Sequence, residues 1–176
     1  MDKTYIVPFV GLKEGKHQFD YVINNKFFDT YKYDEILGAS IKVRLDFIKK
    51  STLLELNFSA KGEIEVICDV TNEHYNEPID TSLSLVVTFG NEFNNDNEEI
   101  LIIPHSEFQL DVAQSIYEMI VLAVPTKKVH PGIEDGTLQS DILDKLEELK
   151  PKETNNNKDT DPRWSKLKDL LTDKKE

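Results

Sequence analysis

The segment Leu110–Pro131 contains the longest apolar run in the sequence, and it constrains the fold more than any other stretch. Apolar side chains recur along it at helical spacing, and further apolar residues make its second half hydrophobic nearly all round. The residues of the main face are Ala113, Ile116, Tyr117, Ile120 and Val124. This pattern predicts a central helix that is buried in the core.

Local signals predict where this helix begins and ends. Asp111 is a favourable N-cap residue, and Gln114 stands three positions later, where it can complete a capping box. Pro125 cannot continue a helix, so we expect a helix of about 14 residues that ends near Val124. The run is shorter than the roughly 20 apolar residues of a membrane span and contains Glu118, so we expect no membrane partner.

Upstream of this segment, apolar and polar residues alternate with the two-residue period of β-strands. The clearest alternations are Ile41–Phe47, Leu54–Phe58, Ile64–Cys68 and Leu83–Phe89. The breaks at Lys50–Thr52 and Ala60–Gly62 have hairpin length, and a longer connection containing Pro78 leads to the fourth strand. We therefore predict an α+β fold, in which an antiparallel β-sheet meander is covered by the central helix.

The sequence predicts one domain, a linker and a short helical tail. Residues 1–150 form a single α+β domain, which begins with an edge strand at Tyr5–Val10 and ends in a second amphipathic helix with an apolar stripe from Leu138 to Leu149. Residues 151–160 contain three consecutive asparagines and no large apolar side chain, so we expect a flexible linker. Residues 161–176 are predicted to form a C-terminal docking helix.

The tail begins with a helix-start signal. Asp161 is an N-cap candidate, and Pro162 occupies the first helical position, where its missing N–H costs nothing. A helix of about ten residues is marginal in water, so this one should order only when its apolar face docks, either on a partner or on its own domain. The predicted partner-binding residues are Asp161, Pro162, Arg163, Trp164, Leu167, Leu170 and Leu171.

The charge distribution bears on the kind of partner. The formal net charge is −12; residues 1–125 carry 10 Lys and Arg against 21 Asp and Glu, whereas residues 126–176 carry 11 against 12. Because an acidic body repels phosphate, any RNA contact should be local or come from the near-neutral tail. A single cysteine and the lack of an N-terminal apolar segment fit the reducing cytosol, so we expect a cytoplasmic protein.

Few residues offer catalytic or metal-binding chemistry. Cys68 is a possible nucleophile, but it lies in the inward phase of its strand, where a free cysteine usually acts as a small hydrophobe. Zinc needs several nitrogen or sulfur ligands, and only His74 stands near Cys68. His130 lies beyond the central helix, where we expect it to bond backbone groups of a turn. With no phosphate loop or Gly-x-Ser-x-Gly motif either, we expect no metal, cofactor or small-molecule substrate.

Three segments, in matching order, resemble a known family. They are Ile64–Asp69 with the acidic stretch after it, Leu110–His130, and the terminal Asp161–Leu167. Together they resemble the YceD family of large ribosomal RNA subunit accumulation proteins, and the tail motif is the most specific of the three. The motif positions that the resemblance implies are Cys68, Pro125, His130, Asp161, Pro162, Trp164 and Leu167, and none of them is implied to be catalytic.

The resemblance also has one departure. Many members carry Cys-x-x-Cys at this point, whereas this chain has Cys68 at the first cysteine position and Thr71 at the second. Some members carry a further cysteine after the position of His130, where this chain has none. Metal binding by such relatives therefore does not carry over to this chain.

The resemblance implies a non-enzymatic role in the accumulation or processing of 23S ribosomal RNA and in assembly of the large ribosomal subunit. The implied partner is a ribosomal or assembly protein, a 23S ribosomal RNA precursor, or both. One alternative is a generic protein-interaction scaffold. Another is a cysteine-dependent enzyme that uses Cys68 and His130, and this alternative requires an accessible thiol of low pKa.

Overall fold

A computed structural model describes residues 3–97 and 99–150 of the chain. The chain divides into two units, Met1–Leu138 and a second that begins at Gln139. The described residues form seven strands and four helices after a 3₁₀ turn at Lys3–Tyr5. In chain order they are β1 (Ile6–Val7), β2 (Gly15–Asn24), α1 (Asn25–Tyr31), β3 (Gly38–Lys49), β4 (Leu53–Ile67), β5 (His74–Gly90), β6 (Ile100–Pro104), β7 (Leu110–Asp111), α2 (Ala113–Ala123), α3 (Pro131–Glu134) and α4 (Asp141–Leu149). The predicted α+β class is confirmed.

Strands β2 to β6 form one five-stranded sheet in their order along the chain. The strands from β2 to β5 pair antiparallel with their sequence neighbours. Strand β6 instead runs parallel to β5, from Val86 opposite Ile100 to Gly90 opposite Pro104. The sheet is therefore mixed, whereas an antiparallel sheet was predicted. The alternation of so short a strand reveals which residues face inward but carries no information on direction.

Strand β4 is continuous through the predicted hairpin at Ala60–Gly62, so that prediction was wrong. Gly62 pairs with Ile41 of β3, and a Cβ atom at Gly62 would lie 2.1 Å from the carbonyl oxygen of Ser40. The glycine therefore permits close approach of two backbones and does not mark a turn. As a result β4 hydrogen-bonds to β3 and β5 as a single central strand.

Strand β5 also extends further than the sequence predicted, because it includes Pro78. Pro78 lies opposite Glu63 of β4. On its other side, β5 pairs with β6 only from Val86 to Gly90, so Pro78 stands on a part of the strand with no further described neighbour. A proline is tolerated at such an edge because its missing N–H leaves no hydrogen bond unmade in the ladder.

Helix α2 occupies the segment predicted as the central helix, and it contacts β5, but it is not buried all round, because Leu122 is 84% exposed. It buries Ile116, Met119 and Ile120, and it runs for 11 residues, fewer than predicted. The predicted N-cap at Asp111 is wrong by one residue, because Val112 occupies the N-cap position, although Asp111 Oδ1 accepts a hydrogen bond from the Ala113 N–H at 2.9 Å. The capping box does not form, however, because the Gln114 amide donates to Glu118 Oε1.

The two short strands form a second sheet, in which β1 pairs antiparallel with β7. Of the predicted edge strand at Tyr5–Val10 only Ile6–Val7 is a strand, because Tyr5 belongs to the preceding 3₁₀ turn and the strand ends before Pro8. The Val112 N–H donates to the Tyr5 carbonyl at 3.0 Å, which ties the start of α2 to the N-terminal segment. Close by on α2, Tyr117 stacks on Tyr31 of α1 with a centroid distance of 4.0 Å.

Helix α4 belongs to the second unit and begins after Ser140. None of its residues is buried, and Leu149 is 78% exposed. The predicted linker and tail lie outside the described residues. Across the described ranges, no helix combines the length and apolar character needed to cross a membrane.

Candidate functional site

Cys68, the residue directly after β4, begins a tight turn. The Cys68 N–H donates to the Glu73 carbonyl at 2.8 Å, and the Asn72 N–H donates back to the Cys68 carbonyl at 2.9 Å. Asn72 has a φ of 59°, a left-handed conformation that asparagine adopts more readily than most residues. The Cys68 side chain points inward and is 0% exposed. The turn therefore closes on its own backbone while it holds a sulfur atom in the core.

A segment beyond α2 binds this turn through its backbone. The Asp69 N–H donates to the Lys128 carbonyl at 2.8 Å, and Asp69 Oδ2 accepts from the Lys128 N–H at 2.7 Å. Two residues further, the His130 N–H donates to Cys68 Sγ at 3.3 Å. The Lys128 ammonium also pairs with Glu35 Oε2 at 2.9 Å. We call this arrangement of Glu35, Cys68, Asp69, Lys128 and His130 the Cys68–His130 cluster.

The His130 ring has its own structural role in this cluster. Its Nδ1 accepts a hydrogen bond from the Gly132 N–H at 2.9 Å, so His130 caps α3 while Pro131 fills the first helical position. Its ring also lies 5.4 Å from the ring of Tyr75 on β5. A Cβ atom at Gly132 would approach His130 Nδ1 to 2.9 Å, so the capped turn requires a glycine at this point. The structure thus agrees with the expectation that His130 bonds backbone groups of a turn.

The electrostatics around Cys68 oppose one another. Burial raises the pKa of the Cys68 thiol, whereas the Thr71 hydroxyl and the N–H groups of His130, Thr71 and Val70 lower it. These polar groups together outweigh burial, so the pKa lies below its ordinary value. The Thr71 hydroxyl is close enough to influence the thiol, yet neither it nor the Tyr75 hydroxyl makes a hydrogen bond of regular geometry. Burial, with the Glu77 carboxylate, raises the pKa of Tyr75.

This geometry limits what the cluster can do chemically. A nucleophilic cysteine needs access to its substrate, and the Cys68 thiol has no exposed surface. His130 reaches the sulfur through its backbone N–H, while its Nδ1 is occupied by Gly132. Within the described ranges, no group of three or more His, Cys, Asp and Glu side chains is placed to hold a metal ion. The arrangement is that of a structural junction between β4 and the chain after α2.

The structure brings together two of the predicted motif positions, Cys68 and His130. Helix α2 ends at Ala123, its C-cap residue Val124 is already extended, and Pro125 follows it. The seven predicted partner-binding residues from Asp161 to Leu171 lie outside the described residues. Sequence reasoning missed Asp69 and Lys128, whose link is largely made by backbone groups and leaves no signature in side-chain spacing.

The model of one protein family, described as Large ribosomal RNA subunit accumulation protein YceD, matches residues 56–171. The chain belongs to the YceD family. The matched region contains both Cys68 and His130, and it extends through the tail motif to Leu171. The YceD name associates the family with accumulation of large-subunit ribosomal RNA. Neither curated proteins nor solved structures gave a match.

Within the YceD match, Thr71 takes the position at which the resemblance puts a second cysteine in many members. Thr71 is buried beside Cys68, and its hydroxyl bears on the thiol. The turn in this chain is held by backbone hydrogen bonds from Asp69, Asn72 and His130. A metal is therefore not needed to fix its conformation here.

Proposed function

We propose that this chain is a non-enzymatic ribosome-biogenesis factor that supports accumulation or processing of 23S ribosomal RNA. It acts in the cytoplasm by binding a ribosomal or assembly protein during formation of the large subunit. The observation that carries this proposal is the match of the YceD family model over residues 56–171. The buried thiol of Cys68 and the capping role of His130 support a binding role over catalysis.

The predicted tail helix is the docking element of this proposal. Trp164, Leu167 and Leu171 would share an apolar face if the segment is helical, and the family match includes all three. Apolar anchors such as tryptophan contribute most of the binding energy in many interfaces. Docking of this face would also supply the contacts that a short helix needs to order.

Deletion of residues 161–176 tests the proposal in cells. We expect a lower ratio of 23S to 16S ribosomal RNA and fewer large subunits in sucrose gradients. A sharper test compares two double variants. The first combines Trp164→Ala with Leu167→Ala, and the control combines Lys174→Ala with Lys175→Ala, two positions outside the motif. Only the first double variant should reproduce the deletion. Unchanged subunit profiles in the deletion strain would overturn the proposal.

A narrower form of the proposal has the chain contact ribosomal RNA directly. Binding that neutralises phosphates weakens steeply with salt because counterions are released on association. Affinity for purified precursor RNA should then fall at least about tenfold between 50 and 200 mM salt. Affinity that ignores salt would assign the interaction to protein contacts.

A further inference from the structure

The first unit contains a cleft of about 1070 Å³ that is separate from the Cys68–His130 cluster. Residues of β2, α1, β5, β6, β7 and α2 line it. Its apolar surface includes Leu85 and Leu101, which are both only partly buried. Leu56 of β4, which lies opposite Leu85 in the sheet, is by contrast buried. The sheet therefore leaves apolar surface uncovered where it lines this cleft.

The charged residues that line this cleft are predominantly acidic. Glu107, Asp111 and Glu118 stand against one lysine, Lys26. Asp111 accepts from a backbone N–H and Glu118 from a glutamine amide, and none of the three carboxylates forms an ion pair with a described residue. Within the part of the chain that the structure describes, no ion pair neutralises these three carboxylates, and the cleft carries a net negative charge.

The effect of these carboxylates extends to the wall of the cleft. Tyr31 lines the cleft, and the pKa of its hydroxyl is raised. Burial is the largest cause, and the nearby charges of Asp111 and Glu118 and the Tyr117 hydroxyl add to it. A negative potential that disfavours tyrosinate favours a bound cation in the same way. The aromatic rings of Tyr31 and of Phe93, which is 61% exposed, add faces on which a guanidinium or ammonium group can rest.

We propose that this cleft, here named the acidic cleft, binds a basic segment of a protein partner. Lysine or arginine side chains of that segment contact Glu107, Asp111 and Glu118, and an apolar side chain beside them packs on Leu85 and Leu101. This inference rests on the proposed function and specifies its partner as a basic protein segment. RNA phosphates and a second copy of this acidic chain are both repelled by the same charges.

The test uses the full chain and two variants of equal net charge. The first variant carries Glu107→Gln, Asp111→Asn and Glu118→Gln, which are close in shape, and the side-chain oxygen of asparagine can still accept the hydrogen bond from the Ala113 N–H. The control carries Glu14→Gln, Asp34→Asn and Glu63→Gln, three carboxylates that do not line the cleft. Urea unfolding midpoints establish that both variants are folded.

The probe is a fluorescent 12-residue peptide built from arginine, lysine and leucine, with a second peptide in which serine replaces leucine. At 0.1 M salt we expect the cleft variant to bind the first peptide about tenfold more weakly than the unmodified chain, and the control to lie within about threefold. The serine peptide should bind several-fold more weakly to the unmodified chain, because it cannot occupy the apolar surface. Equal losses in both variants, or no loss in either, would overturn the acidic cleft as a binding site.

An oligouridine RNA of 20 nucleotides distinguishes the other class of partner. RNA that binds more tightly than the peptide, with an affinity that the cleft variant retains or improves, would overturn the proposal. The same variants expressed in cells separate this inference from the proposed function. Lost peptide binding with normal subunit profiles supports the basic-segment site and overturns its assignment to the ribosomal partner, whereas intact peptide binding in the cleft variant removes the site and leaves the ribosomal role standing.

Discussion

The backbone N–H of His130 donates to the sulfur of Cys68, and this bond of 3.3 Å joins residues that are 62 positions apart in the chain. The sulfur has no solvent-exposed surface, so the bond lies in the core. Because the donor is a main-chain group, the histidine ring remains engaged with Gly132 and Tyr75. The only cysteine of the sequence therefore serves as an acceptor that joins β4 to the segment after α2.

Alkylation of Cys68 tests this buried position directly. The pKa of the thiol lies below its ordinary value, so reactivity depends on access and not on a shortage of thiolate. Iodoacetamide at pH 7.5 should label the native protein at least roughly a hundredfold more slowly than the protein in urea, because labelling requires local opening. The rates follow from mass spectrometry of timed samples. Rapid labelling of the folded protein would revive the cysteine-enzyme alternative.

Substitution of Gly62 by alanine tests the close approach of β4 to β3. The added Cβ would lie 2.1 Å from Ser40 O and 2.7 Å from Ile41 Cα, so the two central strands must separate. We expect a loss of about 1–3 kcal/mol in the free energy of unfolding, measured in urea. Gly11→Ala is the matched control, because nothing lies within 4 Å of the point that its added Cβ would occupy, and it should change stability by less than about 0.5 kcal/mol. Equal effects at both positions would contradict the strand register.

The ion pair between Glu35 and Lys128 should make a small, pH-dependent contribution to stability. The Lys128 ammonium lowers the pKa of Glu35, so the contribution is complete above the unfolded pKa of about 4.3 and is lost as pH falls through the lower folded value. The pKa of Lys128 is raised, so at the alkaline end the contribution is lost only as pH rises through its folded value. Because the Glu35 side chain is 60% exposed, Glu35→Gln should cost only about 0.2–1 kcal/mol at pH 7.

Urea unfolding at pH 7 and at pH 3 measures this contribution. The difference between Glu35→Gln and the unmodified protein should shrink at the lower pH. Asp34→Asn removes an adjacent carboxylate that pairs with no described cation, and it serves as the control. A cost that stays constant across this range would exclude the ion pair as its source.

Lys49 is expected to anchor the loop before β2. Its ammonium donates to the carbonyl oxygens of Phe9 and Leu12, each at 2.8 Å. Lys49→Met keeps most of the side-chain volume but leaves both carbonyls without this donor, so we expect a loss of about 1–3 kcal/mol in unfolding free energy and faster proteolysis of the loop. Lys42→Met, on an exposed residue of the same strand, should be close to neutral. The same sensitivity to protease in both variants would argue against the anchor.

The strands of the sheet were predictable because one face is buried, and burial imposes alternation on the sequence. The errors have physical causes. Gly62 and Pro78 are common turn residues, yet one permits close backbone contact and the other stands where β5 has no second described neighbour. Composition alone does not separate these uses from a turn.

The candidate site was predictable only in part, for a related reason. Cys68 and His130 stand out as residue types, and the structure does join them. Asp69 and Lys128 are joined mainly through N–H and carbonyl groups that every ordinary residue possesses. The acidic cleft likewise depends on residues from six elements, and no spacing in the sequence indicates that Leu85 and Glu118 line the same surface.

The pairing of β1 with β7 has a consequence for the order in which the protein is made. Ile6 lies opposite Asp111, more than 100 positions later in the chain. During translation β1 leaves the ribosome before the main sheet, yet its strand partner is synthesised only after all five strands of that sheet. The first unit can therefore close only late in synthesis, and the nascent chain must keep Ile6 and Val7 without their final partner until residue 111 has emerged.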